Sequence, residues 1–554
     1  MTRFQDGSPR QPGRGAPMRR ALAILAALCV LYLALAAPNH PGAATPGAFA
    51  NFPYELPLLA AFLFGVAFLP RGRRALRLAV VALLIVVLAL KAADFAMFTA
   101  LNRPFNLAYD LPLADAGWRL LWGSNDPTGA RLLLALAAAA IIAVIAVLWW
   151  AIGVLMLTGL RLGRSSVLVV AMLCLTAAGF WVAGKGSAFS ARLAGDHVRA
   201  AANAAANLAT LRAEAAEDPV LASFPQPLSR LAGTDVILAF VESYGRSTLD
   251  NPLYGPTTKA ALADVEAGLA ARGYAMRSAW LTAPIVGGQS WLAHGTFLSG
   301  LWIDDQGRYD ALLRSPRKAL NRVAAEAGWR SVAVMPAIVM PWPEAGWFGY
   351  DAVHAAKDLG YRGKPFNWVT MPDQYTLSAF ERLELTQGRE RPVFAEIALI
   401  SSHAPWTPIP RIVPWHEVGD GTVFDSQAMS GDTPEQVWAD HDRVRDQFRL
   451  SIDYALRTIG DFAARHGDGK PLFIVLGDHQ PAAFVSGSQT LRDVPIHMIG
   501  PPDILAAIDG WNWSEGLVPD GEAPVWRMDA FRARFIEAFS AGPEPVSSAG
   551  LDPA

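Results

Sequence analysis

Cysteine is almost missing from this chain, with two in 554 residues, and charge is scarce, with 17% of residues Asp, Glu, Lys or Arg. Soluble domains carry roughly 25% charged residues, so an entirely soluble protein is excluded. Cys29 and Cys174 both lie within apolar runs. The rest of the chain has no thiol, which excludes a disulfide-stapled domain even in an oxidising compartment. An excess of positive charge is also lacking. The formal net charge is -2, and a general nucleic-acid binder needs a basic stripe, so no nucleic-acid partner is expected. What is abundant is apolar side chain, 52% of all residues. That figure is an average over two unlike halves.

Five apolar runs stand before residue 185, at roughly 20–37, 55–70, 78–98, 131–157 and 165–184. A membrane-spanning helix needs about 20 mainly apolar residues, a length that 20–37 approaches and 55–70 falls short of. The tail carries Arg3, Arg10, Arg14, Arg19 and Arg20; later loops carry Arg71, Arg73, Arg74 and Arg77, then Arg161 and Arg164. Loop 38–54 has neither Lys nor Arg, and loop 99–130 sets Arg103 and Arg119 against Asp110, Asp115 and Asp126. This alternation places the Arg-rich loops in the cytoplasm. Five crossings then put everything after residue 185 outside. The expected organisation is a cytoplasmic tail (1–19), a five-helix transmembrane domain (20–184), a juxtamembrane helical connector (185–231) and an exported domain (232–545). The competing reading of 19–37 as a cleaved signal peptide leaves the downstream topology unchanged. Lys91 and Asp94, near the outer end of the third run, are either an interfacial pair with Lys91 snorkelling or a contact for a lipid headgroup.

Beyond residue 232 short apolar runs alternate with helical patterns. Strand candidates are 234–241, 274–281, 329–335, 392–400, 471–476 and 494–500; helical stretches cover 258–273, 315–328 and 438–467. This alternation predicts a mostly parallel sheet sandwiched by helices. Ligands in such sheets bind outside the carboxyl ends of the strands. Three strands end in candidate ligands: the first in Glu242-Ser243, the fourth in Ser401-Ser402-His403 and the fifth in Gly477-Asp478-His479. Two carboxylates and an imidazole suit one divalent ion, Zn²⁺ or Mn²⁺. After strand 274–281, Gly287-Gly288 permits a sharp turn, and Ser290 opens a helical pattern. A hydroxyl there, touching a metal, is a candidate nucleophile for displacement at phosphorus or sulfur. Taken alone, Ser290 reads rather as an N-cap.

The segments FVESYGR, GGQSWLAHGTFLSG, SSHAPW and LGDHQP, in this order, resemble the membrane-bound, sulfatase-like branch of the alkaline phosphatase superfamily. The similarity is to lipoteichoic acid synthases, phosphoethanolamine transferases and phosphoglycerol transferases. The resemblance implies five membrane helices followed by an exported catalytic domain of alkaline phosphatase/sulfatase-like fold. Carried over by motif, it implies that Glu242, Asp478, His479 and Ser290 hold the metal, that Ser290 is the catalytic nucleophile and that His403 is the substrate-side catalytic histidine. Its partners would be a lipid donor, a glycan or lipid acceptor and the membrane. The setting would be the cytoplasmic (inner) membrane, with the catalytic domain on the periplasmic or extracellular side.

Three departures qualify this. The nucleophile is Ser where the first two families use Thr. The stretch 335–351, with Pro336 and Glu344, lacks the His and Arg that grip glycerol phosphate in lipoteichoic acid synthases. The cysteines that form several disulfides in phosphoethanolamine transferases are absent. No C/S-x-P-x-R pattern surrounds Ser290, so a formylglycine sulfatase is disfavoured. His294, Trp342 and Trp406 are further candidate substrate contacts, each with a core-packing reading beside it. Ser243 follows Glu242 directly, and in an extended segment its side chain should point the opposite way. The sequence thus points to a metal-dependent transferase of a phospho-linked group, leaving open a phospho- or sulfo-ester hydrolase and a non-catalytic assembly module.

Overall fold

All six residues of β1 (Val236–Val241) are buried, as a strand covered on both faces requires. In the computed structural model residues 16–542 are described, except 69–71, 108–109, 112, 114–117, 119–126, 386–387 and 468–470. Arg3, Arg10, Arg14, Arg71, Asp115, Arg119, Asp126 and the expected domain end at 545 lie outside the described residues. Two compact units form, Met1–Thr99 with Arg103–Ala204, and Ala100–Asn102 with Ala205–Ala554.

The first unit contains the apolar helices α1 (Ala16–Ala36), α2 (Glu55–Val66), α3 (Arg73–Leu101), α4 (Pro127–Leu162) and α5 (Ser166–Val182), then the start of α6 (Phe189–Ala216). Three stretches, Pro17–Ala36, Arg73–Leu101 and Thr128–Leu162, are long and apolar enough to cross a membrane. With α2 at 12 residues and α5 at 17, a rise of 1.5 Å per residue gives only about 18 and 26 Å of a core about 30 Å thick. Five expected runs therefore yield three helices of spanning length among the described residues. The fifth run stops at Val182 because Gly184 turns left-handed, with φ +63°. Leu132, Ile142, Val167 and Leu175 remain exposed, a surface suited to lipid rather than water. The unit fits a membrane anchor.

The second unit is built on a nine-stranded mixed sheet. After β1 come β2 (Ala275–Thr282), β3 (Arg330–Met335), β4 (Ala352–Ala355), β5 (Val393–Leu399), β6 (Leu472–Gly477), β7 (Asp493–Gly500), β8 (Ser514–Glu515) and β9 (Val525–Arg527). Their order is β8-β2-β7-β6-β1-β5-β3-β4, with β9 also paired to β2. The centre is parallel as expected, while β7 runs antiparallel to both β2 and β6. The short β4, β8 and β9 carry too little periodicity to be seen in the sequence.

Side-chain alternation splits β1 between two cores. Ile237, Ala239 and Val241 pack with α7 (Gly255–Ala270), α9 (Asp373–Glu384) and α10 (His441–Arg465). Val236, Leu238 and Phe240 pack with α8 (Ser290–Ser299) and the helices Leu320–Glu326 and Ala530–Phe539. The helix expected over 315–328 begins only at Leu320, since Ser315 Oγ accepts from Arg317 N in a preceding turn. Leu238 is fully buried at the sheet centre. Leu238→Ala is expected to cost about 2–5 kcal/mol, read as a lower denaturant midpoint with an unchanged slope.

Candidate metal centre

Three neighbouring strands set the site by register. Val241 of β1 lies level with Leu399 of β5 and Gly477 of β6. The residues that follow, Glu242, Ile400 and Asp478, therefore leave the sheet side by side. Gly477 is required there, because a Cβ would stand 1.8 Å from Tyr244 O.

The chain turns sharply after Glu242. Ser243 has φ +58°, a left-handed conformation that costs a non-glycine residue about 1–3 kcal/mol. The expected alternation fails at this residue, because the backbone is no longer extended. Instead of pointing away, Ser243 Oγ donates to Glu242 Oε1 (2.8 Å), and Ser243 N donates to Asp478 Oδ1 (2.8 Å). His479 N donates to the same oxygen at 2.7 Å. His479 Nδ1 faces the carbonyl of Gln480 at 2.9 Å. A carbonyl can only accept, so the proton belongs on Nδ1 and the Nε2 lone pair is left for the site.

A second left-handed turn delivers the nucleophile. Gly287, Gly288 and Gln289 have φ of +79°, +147° and +67°. Ser290 is then the first residue of α8 and Gln289 its cap, so Ser290 is not an N-cap. Its Oγ lies 3.2 Å from Glu242 Oε2 and 3.3 Å from His479 Nε2. One potential ligand atom from each of Glu242, Asp478 and His479 falls within 4.8 Å of the others. His479 Nε2 is 3.4 Å from Glu242 Oε1 and 3.6 Å from Asp478 Oδ2.

Electrostatics here call for a cation. Asp478 and His479 are buried, and among the described residues no Lys or Arg pairs with either carboxylate. Burial raises Asp478 and the adjacent Glu242 charge raises it further. Burial acts the same way on Glu242, yet the neighbouring imidazoles of His479 and His403 and the hydrogen bond from Ser243 outweigh it and pull Glu242 down. Two oxygen donors and one imidazole without a fixed positive partner fit a divalent ion.

His403 is exposed on the loop after β5. Its Nδ1 lies 2.5 Å from Ala404 O, so Nδ1 carries the proton and Nε2 is free. Asp373 braces this loop by accepting from Ile400 N (2.8 Å) and Ser401 N (2.9 Å), and Ser402 Oγ donates to Glu242 O (2.6 Å).

The remaining candidates lie apart from the cluster. Trp406 is buried, donates Nε1 to Ser402 O (2.7 Å) and stacks on Trp438, so it shapes the loop from behind. Trp342 packs on Phe348 and Tyr350. His294 sits one turn after Ser290, stacked 3.8 Å from Phe240, with Nδ1 2.7 Å from Glu396 Oε1. Glu396 is a buried carboxylate in mid-strand that also accepts from Asn321 Nδ2 (2.9 Å) and the Tyr350 hydroxyl (2.5 Å). Its role is missed in the sequence, although a single Glu inside an apolar strand was the available signal.

No family model and no curated protein matches the chain. Among solved structures, the lipoteichoic acid synthase LtaP from Listeria monocytogenes is similar at 13% identity and TM-score 0.33, over 48% of this chain and 65% of that one. The chain thus covers less than two thirds of that protein. The C-terminal periplasmic domain of EcEptC from Escherichia coli, in complex with Zn, is similar at 10% identity and TM-score 0.35, over 50% and 75%. The Streptococcus pyogenes phosphoglycerol transferase GacH, in complex with sn-glycerol-1-phosphate, is similar at 13% identity and TM-score 0.37, over 61% and 82%. Two of these names belong to the families that the motifs resemble.

Asp373 gives a pH signature outside the cluster. Burial raises its carboxyl to about 7, against two backbone hydrogen bonds that lower it. A carboxyl raised on folding contributes stability in full below its unfolded value, about 3.9, and loses it as pH rises. The denaturant midpoint is expected to fall between pH 4 and 7 in the wild type and to fall less in Asp373→Asn.

Proposed function

We propose that this chain is a membrane-anchored, metal-dependent transferase that moves a phospho-linked headgroup from a lipid donor to a glycan or lipid acceptor through a covalent Ser290 intermediate. The observation that carries this is the Ser290 hydroxyl standing at the first turn of α8 within 3.3 Å of both Glu242 and His479. Glu242, Asp478, His479 and Ser290 would hold one divalent ion, Mn²⁺ or Zn²⁺. Such an ion supplies positive charge that lowers the pKa of the serine hydroxyl and offsets charge developing on the phosphoryl oxygens.

The side chains divide the rest of the work. Ser290 Oγ forms a bond to phosphorus as the bond from phosphorus to the donor lipid oxygen breaks. The free backbone N–H groups at the start of α8 favour the phosphoryl anion. Ser290 releases its hydroxyl proton to solvent, and His403 on its exposed loop, when doubly protonated, gives the Nε2 proton to the departing oxygen and is left as the neutral imidazole. In the second half it takes the proton of the acceptor hydroxyl, whose oxygen displaces Ser290 from phosphorus. The acceptor takes water's place in this scheme; with water the same residues perform hydrolysis. The membrane reading is the inner membrane, with the second unit on its outer side, on the strength of the alternation of Arg-rich and Arg-poor loops.

Mass spectrometry after incubation with membrane lipids is expected to find a phospho-linked adduct on Ser290. Ser290→Ala should form none and lose about 10³-fold or more in turnover. Glu242→Ala should lose the metal as well, measured by elemental analysis. Unimpaired turnover in either variant would overturn the proposal. His403→Gln should retain metal while turnover falls roughly 10²–10⁴-fold. Faster turnover of aryl sulfates than of phosphodiesters would favour the sulfo-ester hydrolase instead.

A further inference from the structure

Lys91 lies on α3 and is only 4% exposed, which is not the posture of a snorkelling side chain. Its Nζ donates to the carbonyls of Leu35 (2.5 Å) and Ala34 (3.4 Å) at the C-terminal end of α1. Those carbonyls are the negative end of a helix dipole, about half an elementary charge, and do not cancel a full ammonium charge. Neither carboxylate at this end of the helices forms an ion pair with Lys91, although Glu55 keeps Oε2 buried without a hydrogen-bond partner. Asp94 accepts from Asn39 Nδ2 (2.9 Å) and Phe105 N (3.0 Å), with His197 Nε2 at 3.4 Å. Glu55 Oε1 accepts from Ser190 N (2.8 Å) and Ala191 N (3.2 Å) at the start of α6. Glu55 reaches Lys91 only through space. A buried cation without an ion pair is costly and marks a binding hypothesis.

Lys91 lines a cavity of about 450 Å³ within the first unit. Asn39, Thr45 and Ser187 are among its polar lining, and Arg192, exposed and without an ion pair among the described residues, lines it as well. Asp196 also borders the cavity, but its carboxylate is paired with Arg199 at 2.5 Å. Ala36, Phe189 and Leu193 are among its apolar lining. The cavity lies at the ends of α1 and α3 remote from Arg19, Arg20, Arg73 and Arg74, the end that the charge pattern puts on the outer side.

We propose that this cavity binds the phosphate of a lipid headgroup, held by Lys91 and Arg192. Two cations with hydroxyl and amide donors are the chemistry that recognises a phosphate, and the apolar lining suits the glycerol and first methylenes behind it. None of these residues belongs to the metal centre, and the assignment is independent of the transferase reading.

The test uses the full chain, delipidated in detergent and titrated with dioctanoyl phosphatidylglycerol, dioctanoylglycerol or inorganic phosphate under native mass spectrometry. One saturable phosphatidylglycerol is expected, with no saturable dioctanoylglycerol. Arg192→Glu should weaken binding by about tenfold or more, as loss of one charge-assisted contact implies. Lys91→Gln should abolish it. Because Lys91→Gln also risks the fold, Arg192→Glu with an unchanged melting curve is the deciding variant. Equal lipid binding by wild type and Arg192→Glu overturns the proposal, as does equal binding of dioctanoylglycerol. Displacement of the lipid by equimolar inorganic phosphate would reassign the site to free phosphate and overturn its lipid part.

Discussion

Two carboxylates that pair with no Lys or Arg among the described residues, at the carboxyl edge of a buried sheet, are the constraint around which the second unit is arranged. Glu242 and Asp478 sit side by side because β1 and β6 are in register, and His479 is drawn in as their neighbour. Left without a cation, such a pair is a cost that hydrophobic packing must absorb. The surrounding sheet is correspondingly thick with apolar contact on both faces, including all six residues of β1 and all six of β6. The metal centre and the core are one problem solved together: the core fixes the strand ends, and the strand ends fix the charge.

The turns that leave those strands are conformationally expensive. Ser243 and Gln289 are both left-handed without being glycine, and each adjoins a residue of the cluster. Non-glycine residues held in that region persist where the surrounding structure over-determines them. Ser243 is held by hydrogen bonds to Glu242 and Asp478, so the strain serves to aim the first carboxylate. Gln289 follows two left-handed glycines and hands Ser290 directly into the first turn of α8. Farther out, Asp373 and Trp406 hold the loop that bears His403. Supporting groups of this kind set an active side chain's position to fractions of an ångström.

Legibility followed periodicity and burial. The central strands were readable because a strand covered on both faces is a continuous apolar run, and their polar termini then announced a shared edge. Glu242, Asp478 and His479 stand at such termini, while Ser290 was readable only from the Gly287-Gly288 turn and the motif around it; the structure brings the four side chains near one another. Ser243 was misread because alternation was carried one residue past the end of the strand, where φ had already changed sign. Glu396 was passed over because its three hydrogen-bond partners come from other elements. No local window contains them. In the first unit the runs 55–70 and 165–184 shorten to helices of 12 and 17 residues, the latter stopped before the left-handed Gly184, whereas the other three extend into their polar flanks as helices of 21, 29 and 36 residues.

The sequence separation within the cluster has a consequence for assembly. The hydrogen bond from Ser243 to Asp478 joins residues 235 positions apart, and Ser290 joins Glu242 across 48. No short segment holds more than a fragment of the donor set, so an unfolded chain has only weak, scattered ligands and negligible hold on an ion. With the second unit exported as proposed, the chain would therefore cross the membrane empty. Any metal would then be taken up where folding finishes, and the ion acquired would be governed by the supply on that side as well as by the geometry of the site.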